Sequence, residues 1–174
     1  MKICNLHRET AAKAHADTNH RYDPDGNNHP YVFHLDLCVS FCRIFDHLIP
    51  ESDYFDVETG MYYHDVIEDA RWTYNDVKKV SNINVAELAY ALTNKKGKTR
   101  DERADGEYYA GIRECPFPYA IFNKICDRMA NMYYSQKNGS SMHKKYINEY
   151  PHFKAELYTD EYKEMWDYIE ANLM

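Results

Sequence analysis

The chain has 174 residues, with 21 Lys and Arg against 28 Asp and Glu, a formal net charge of −7. At that length one domain can bury a sizeable core without disulfides or a structural metal. The acidic balance excludes broad, sequence-independent nucleic-acid binding, which demands a basic surface, yet leaves room for a small phosphorylated ligand held by a few local cations.

Met1 to Asn5 lacks the apolar run of a secretion signal. No segment offers the roughly 20 consecutive apolar residues of a membrane span. Cys4, Cys38, Cys42, Cys115 and Cys126 form no CxxC pair. Cys38 and Cys42 read as buried thiols rather than a zinc site or a staple. These features give the expectation of a soluble, cytoplasmic protein with no membrane or nucleic-acid partner.

In chain order, Tyr22 to Tyr31 is rich in turn formers (Asp23, Pro24, Asp25, Gly26, Asn27, Asn28, Pro30) and reads as a loop. It leads into a helix over 31–47, whose apolar positions Tyr31, Leu35, Val39, Cys42 and Phe45 follow a 3.6-residue period. Pro50 and Ser52 break that pattern, and a second helix runs from about Tyr54 towards Val66. Thr73 opens a short helix, with Asp76 completing a capping box. A further helical run, Val85 to Leu92, ends at Gly97. Lys95, Lys96, Lys98, Arg100 and Arg103 make the segment from 95 to 103 the most basic stretch. Gly97-Lys98-Thr99 mimics the end of a P-loop, but position 92 is leucine where that motif needs glycine. Pro116 and Pro118 precede a long helix from about Tyr119 to Tyr134. Two more helices are expected around 141–149 and 160–172, with Pro151 between them. No convincing strand pattern occurs, so the predicted fold is all-α. We expect a single compact helical bundle over 1–174, with a core at about 10–155 and a C-terminal helix at about 160–172.

The residues able to do chemistry cluster in three segments. Tyr63-His64-Asp65-Val66-Ile67-Glu68-Asp69 puts four titratable groups at the end of an apolar helix. Buried without partners, these groups would cost several kcal/mol, so they must be paired, hydrated or metal-bound. His64 and Asp65, adjacent in sequence, can face one point only at a helix end or with slight backbone adjustment, which predicts that the helix stops near here, with Ala70 to Thr73 leaving room for it. His34 interrupts the face of the first predicted helix. Asp127 interrupts that of the 119–134 helix, with Asn131 one turn later.

Three ordered segments, Pro30-Tyr31-x-x-His34, His64-Asp65-x-x-Glu68-Asp69 and Lys124-x-x-Asp127-Arg128-x-x-Asn131, resemble the HD-domain metal-dependent phosphohydrolases. They are most similar to the hydrolase domain of the RelA/SpoT family, whose stand-alone members include the small alarmone hydrolases and metazoan SpoT homologues. The resemblance implies an HD-type helical fold in which His34, His64, Asp65 and Asp127 hold a divalent ion, Mn²⁺ or another. Two imidazoles and two carboxylates suit such an ion. It further implies that Glu68 and Asp69 orient the attacking water and shuttle its proton, and that Asn131 contacts substrate. Arg21, Lys95, Lys98, Arg103 and Lys124 are the candidate cations for the nucleotide. The implied reaction is hydrolysis of the 3′-pyrophosphate of (p)ppGpp to GDP or GTP and pyrophosphate. The alternatives are an HD-type phosphatase acting on NADPH or nucleoside monophosphates, or a non-catalytic nucleotide-binding module. The loop between Arg21 and Pro30 departs from the family's shorter, basic version.

Overall fold

A computed structural model describes residues 2–94, 99, 102 and 105–174. All elements of these residues are helical, apart from one isolated antiparallel bridge between Tyr22 and His29. They include α1 (Lys2–Ala14), α2 (Val32–Ile44), α3 (Glu51–Tyr63), α4 (Val66–Asp69), α5 (Tyr74–Val80), α6 (Ile83–Leu92), α7 (Gly106–Arg113), α8 (Ala120–Lys137), α9 (Ser141–Leu157) and α10 (Lys163–Asn172), with short 3-10 turns at Asp46–Leu48 and Asp160–Tyr162. No described helix is long and apolar enough to cross a membrane.

The core is organised around α2 and α8, which pack along each other and against α3. The apolar period read in the sequence is the buried face of α2: Leu35, Cys38, Val39 and Cys42 all sit inside, with His34 among them. On α8 the buried face runs through Phe122, Ile125, Cys126, Met129 and Met132 and carries Asp127 with it. Two polar groups therefore enter the core because they share a helical face with residues that must be buried. Across α3, α6 approaches so closely that a Cβ on Gly60 would lie 2.6 Å from Leu88 Cδ1 and 2.8 Å from Asn123 Nδ2. Only glycine permits this spacing.

The structure corrects the sequence reading at two places. Lys2–Ala14 forms a helix that the sequence did not announce, because apart from Ala11 its core contact is made by a polar residue, His7, whose Nδ1 lies 3.0 Å from the Tyr63 hydroxyl. Pro151 does not separate two helices but lies inside α9. Its missing N–H removes one backbone bond. Burial of Tyr150, Phe153 and Leu157 on one continuous face holds the helix together across it. Trp166 of α10 packs edge-on to Phe153 with ring centroids 5.5 Å apart, which seats the C-terminal helix on α9. The capping box at Thr73 and Asp76 is present as expected.

Candidate metal centre

The end of α3 is the geometric key. His64 follows the last residue of α3 in helical conformation, and Asp65, at φ −106° and ψ −2°, breaks the chain direction before α4 begins. This break lets two adjacent side chains converge, as their sequence neighbourhood requires. His34 and Asp127 reach the same point from the buried faces of α2 and α8. His34 Nε2 lies 3.3 Å from Asp127 Oδ1 and 3.7 Å from Asp65 Oδ2. His64 Nε2 lies 2.8 Å from Asp65 Oδ2 and 3.7 Å from Asp127 Oδ1.

These groups are held in place by neighbours. His64 Nδ1 donates to the Met61 carbonyl at 2.8 Å, which turns Nε2 towards the carboxylates. The Tyr31 hydroxyl donates to Asp65 Oδ2 at 2.5 Å. Asn131 Nδ2 donates to Asp127 Oδ1 at 2.7 Å, and Lys124 Nζ to Asp127 Oδ2 at 3.0 Å. Tyr22 stacks on the His34 ring at 5.6 Å and 8°. Sequence reasoning assigned no site role to Tyr31 or Tyr22. Both sit in or beside the loop that delivers His34, and their apolar rings concealed them as packing residues.

The electrostatics follow from burial and proximity. Burial opposes ionisation of Asp65 and Asp127. Even so, the His64 imidazole beside Asp65 holds its carboxyl well below the usual carboxylate range, and Lys124 with both imidazoles does the same for Asp127. Burial likewise opposes a charged His64, but the two carboxylates win and raise it to about 10. Asp127 and Tyr108 keep Lys124 charged despite its burial.

The donor set fits a divalent ion. Although Asp65 Oδ2 stands at bonding distance from the buried His64 Nε2, no hydrogen-bond geometry connects them, and that nitrogen has no hydrogen-bond partner. A nitrogen lone pair and two carboxylates converging on one buried point are stable only around a cation, a proton or a metal. Two neutral imidazoles and two carboxylates balance a 2+ charge. Donor atoms of His34, Cys38, His64 and Asp127 all lie within 4.8 Å of one another. Cys38, read from the sequence as a buried thiol, is indeed buried but stands within this cluster; burial first, then Asp127 and Asp65, push its pKa well above the ordinary value.

A polar cavity of about 440 Å³ opens over the centre. Glu68, Asp69, Lys124 and Asn131 line it, together with Tyr31, His34, Asp65 and Asp127. Burial and the charge of Asp65 raise the pKa of both Glu68 and Asp69. Glu68 accepts hydrogen bonds from the Asn94 side chain at 3.0 Å and backbone at 3.3 Å, and His20 Nδ1 lies 3.5 Å from Asp69 Oδ2. Arg21 is exposed and is not among the lining residues; His20, its neighbour, is. Lys95, Lys98 and Arg103 lie outside the described residues. The far wall adds Arg128, paired with Glu149 at 2.9 Å and seated on the Tyr146 and Phe153 rings.

Among the described residues, an all-helical arrangement brings buried His, Cys and Asp groups together beneath a polar cavity. No family model and no curated protein matches the sequence. Among solved structures the chain is similar to a metazoan ortholog of SpoT, described as hydrolysing ppGpp and playing a role in starvation responses. The TM-score is 0.72 at 19% identity, over 98% of this chain and 96% of that one. The two share a fold along nearly their whole lengths.

Proposed function

We propose that this chain is a divalent-metal-dependent nucleotide phosphohydrolase that removes the 3′-pyrophosphate of (p)ppGpp, leaving GDP or GTP. The observation that carries the reading is the convergence of His34, His64, Asp65 and Asp127 on one buried point beneath a cavity of nucleotide size. The description of the structural neighbour as a ppGpp hydrolase supports the choice of substrate.

A divalent ion held by those four residues supplies Lewis acidity towards the phosphoryl oxygens and makes adjacent water more acidic. Asn131 and Lys124 fix both oxygens of Asp127, so its carboxylate keeps one orientation through turnover. Glu68, with its pKa raised by burial and by Asp65, takes the proton from the attacking water. Asp69, raised for the same reasons, stands against the exposed His20, which gives that proton a way out to solvent. Substrate phosphates meet Lys124 inside the cavity, with Lys95, Lys98, Arg103 and Arg21 proposed as the further cations that recruit the nucleotide.

The test is turnover by protein loaded with Mn²⁺ or Zn²⁺ against ppGpp, NADPH and nucleoside 5′-monophosphates. The expected products are GDP and pyrophosphate from ppGpp. Phosphate release from NADPH or a monophosphate, with ppGpp intact, contradicts the alarmone assignment. Tight binding of nucleotide by wild type without turnover of any candidate contradicts the enzymatic reading and leaves a binding module.

A further inference from the structure

Cys38 stands one helical turn beyond His34, so both side chains project from the same buried face of α2. Its Sγ lies 3.5 Å from His34 Nε2. An ion in tetrahedral coordination, bound to sulfur at about 2.3 Å and to nitrogen or oxygen at about 2.05 Å, separates sulfur from nitrogen by about 3.6 Å and two lighter donors by about 3.3 Å. The His34–Cys38 spacing of 3.5 Å and the His34–Asp127 spacing of 3.3 Å match those values, and His64–Asp127 at 3.7 Å is slightly longer. An independent observation points into the same space: His64 Nε2 is wholly buried, turned inward by the Met61 carbonyl, and has no hydrogen-bond partner.

Building on the metal reading above, we propose that Cys38 is itself a metal ligand, and that with His34, His64 and Asp127 it biases the centre towards Zn²⁺, Co²⁺ or Fe²⁺ over Mn²⁺. A thiolate is a soft donor, and hard Mn²⁺ gains little from it. Asp65, tied to the Tyr31 hydroxyl, is then a fifth donor, through oxygen, that would expand the coordination beyond the tetrahedral four. Uptake of the ion breaks the S–H bond, forms the sulfur–metal bond and releases the thiol proton to solvent through the cavity.

Two measurements on the whole chain test this. In Zn²⁺-loaded wild type, X-ray absorption at the zinc edge is expected to show one sulfur neighbour at about 2.3 Å. Co²⁺-loaded wild type is expected to show a near-ultraviolet thiolate-to-cobalt charge-transfer band. That band should vanish in Cys38→Ser, survive in the half-buried control Cys115→Ser, and be accompanied in Cys38→Ser by at least a tenfold fall in preference for Zn²⁺ over Mn²⁺. A bound zinc with only nitrogen and oxygen neighbours, or a cobalt band that depends on Cys115, overturns the Cys38 assignment and leaves the metal reading standing. Failure to take up Zn²⁺, Co²⁺ and Mn²⁺ alike overturns both. The wild-type spectra decide the matter even if Cys38→Ser does not fold.

Discussion

Tyr31 holds one carboxylate of the candidate centre in place: its hydroxyl donates to Asp65 while its ring stacks on the buried His15 at 4.5 Å. Removing only the hydroxyl, in Tyr31→Phe, should weaken divalent-metal affinity about 10- to 100-fold with the fold intact. Calorimetric titration checks this, and unchanged affinity would contradict it. Asp127→Ala should abolish metal uptake, whereas Glu68→Gln should keep the metal and lower kcat by about 10²- to 10⁴-fold. Metal analysis and turnover, measured on the same samples, separate the two roles. In the metal-free protein His64 is raised from an ordinary value of 6.5 to about 10. The stability this adds is present below pH 6.5 and lost as pH rises through 10. A metal must displace that proton, so affinity should rise with pH across the neutral range. Binding heats should then vary with the ionisation enthalpy of the buffer, and buffer-independent heats would contradict proton release. The sequence made His34 and Asp127 legible as candidates because each is a polar group on an apolar helix face, and His64 and Asp65 because they sit together at the end of an apolar helix. Tyr31 and Cys38 were illegible as site residues, because a tyrosine or cysteine on such a face satisfies the apolar period and leaves no anomaly to notice.

The α3–α4 junction shows how much an element boundary decides. A continuous helix would send His64 and Asp65 about 100° apart; the break at Asp65 brings them together. The sequence exposed this break because two adjacent side chains cannot face one point from within a regular helix. It did not expose α1, whose buried face rests on His7 and Ala11, or the passage of α9 through Pro151, which only the long-range packing of Tyr150, Phe153 and Trp166 explains. The position of α3 also depends on Gly60, where α6 and α8 approach within van der Waals range. Gly60→Ala should destabilise the protein by about 1–3 kcal/mol through overpacking. A urea midpoint equal to that of wild type would show that the helices are not so closely set.

At the scale of the whole molecule, the proposed reading asks a chain of net charge −7 to gather a multiply phosphorylated nucleotide into a cavity that carries Asp65, Glu68, Asp69 and Asp127. Among the described residues lining it, Lys124 and Arg128 are already engaged with Asp127 and Glu149. On that reading we propose that recruitment falls to a bound ion and to Lys95, Lys98 and Arg103, which lie outside the described residues. Substituting Lys95 and Lys98 together by alanine should raise KM several-fold, leave kcat nearly unchanged and flatten the dependence of KM on salt. A kcat loss at constant KM would place those lysines in the chemistry instead. The fold was legible as all-α from helical periodicity alone, and the structural likeness at TM-score 0.72 agrees. Substrate identity was not legible, because the loop from Tyr22 to His29 closes on itself through one backbone bridge and leaves Arg21 outside the cavity. The most direct test of the account is an anomalous-difference map from crystals of the chain grown with Mn²⁺ or Zn²⁺. The account predicts one strong peak within bonding distance of His34 Nε2, His64 Nε2 and Asp127. A map empty at that point, with the protein otherwise ordered around it, would contradict it.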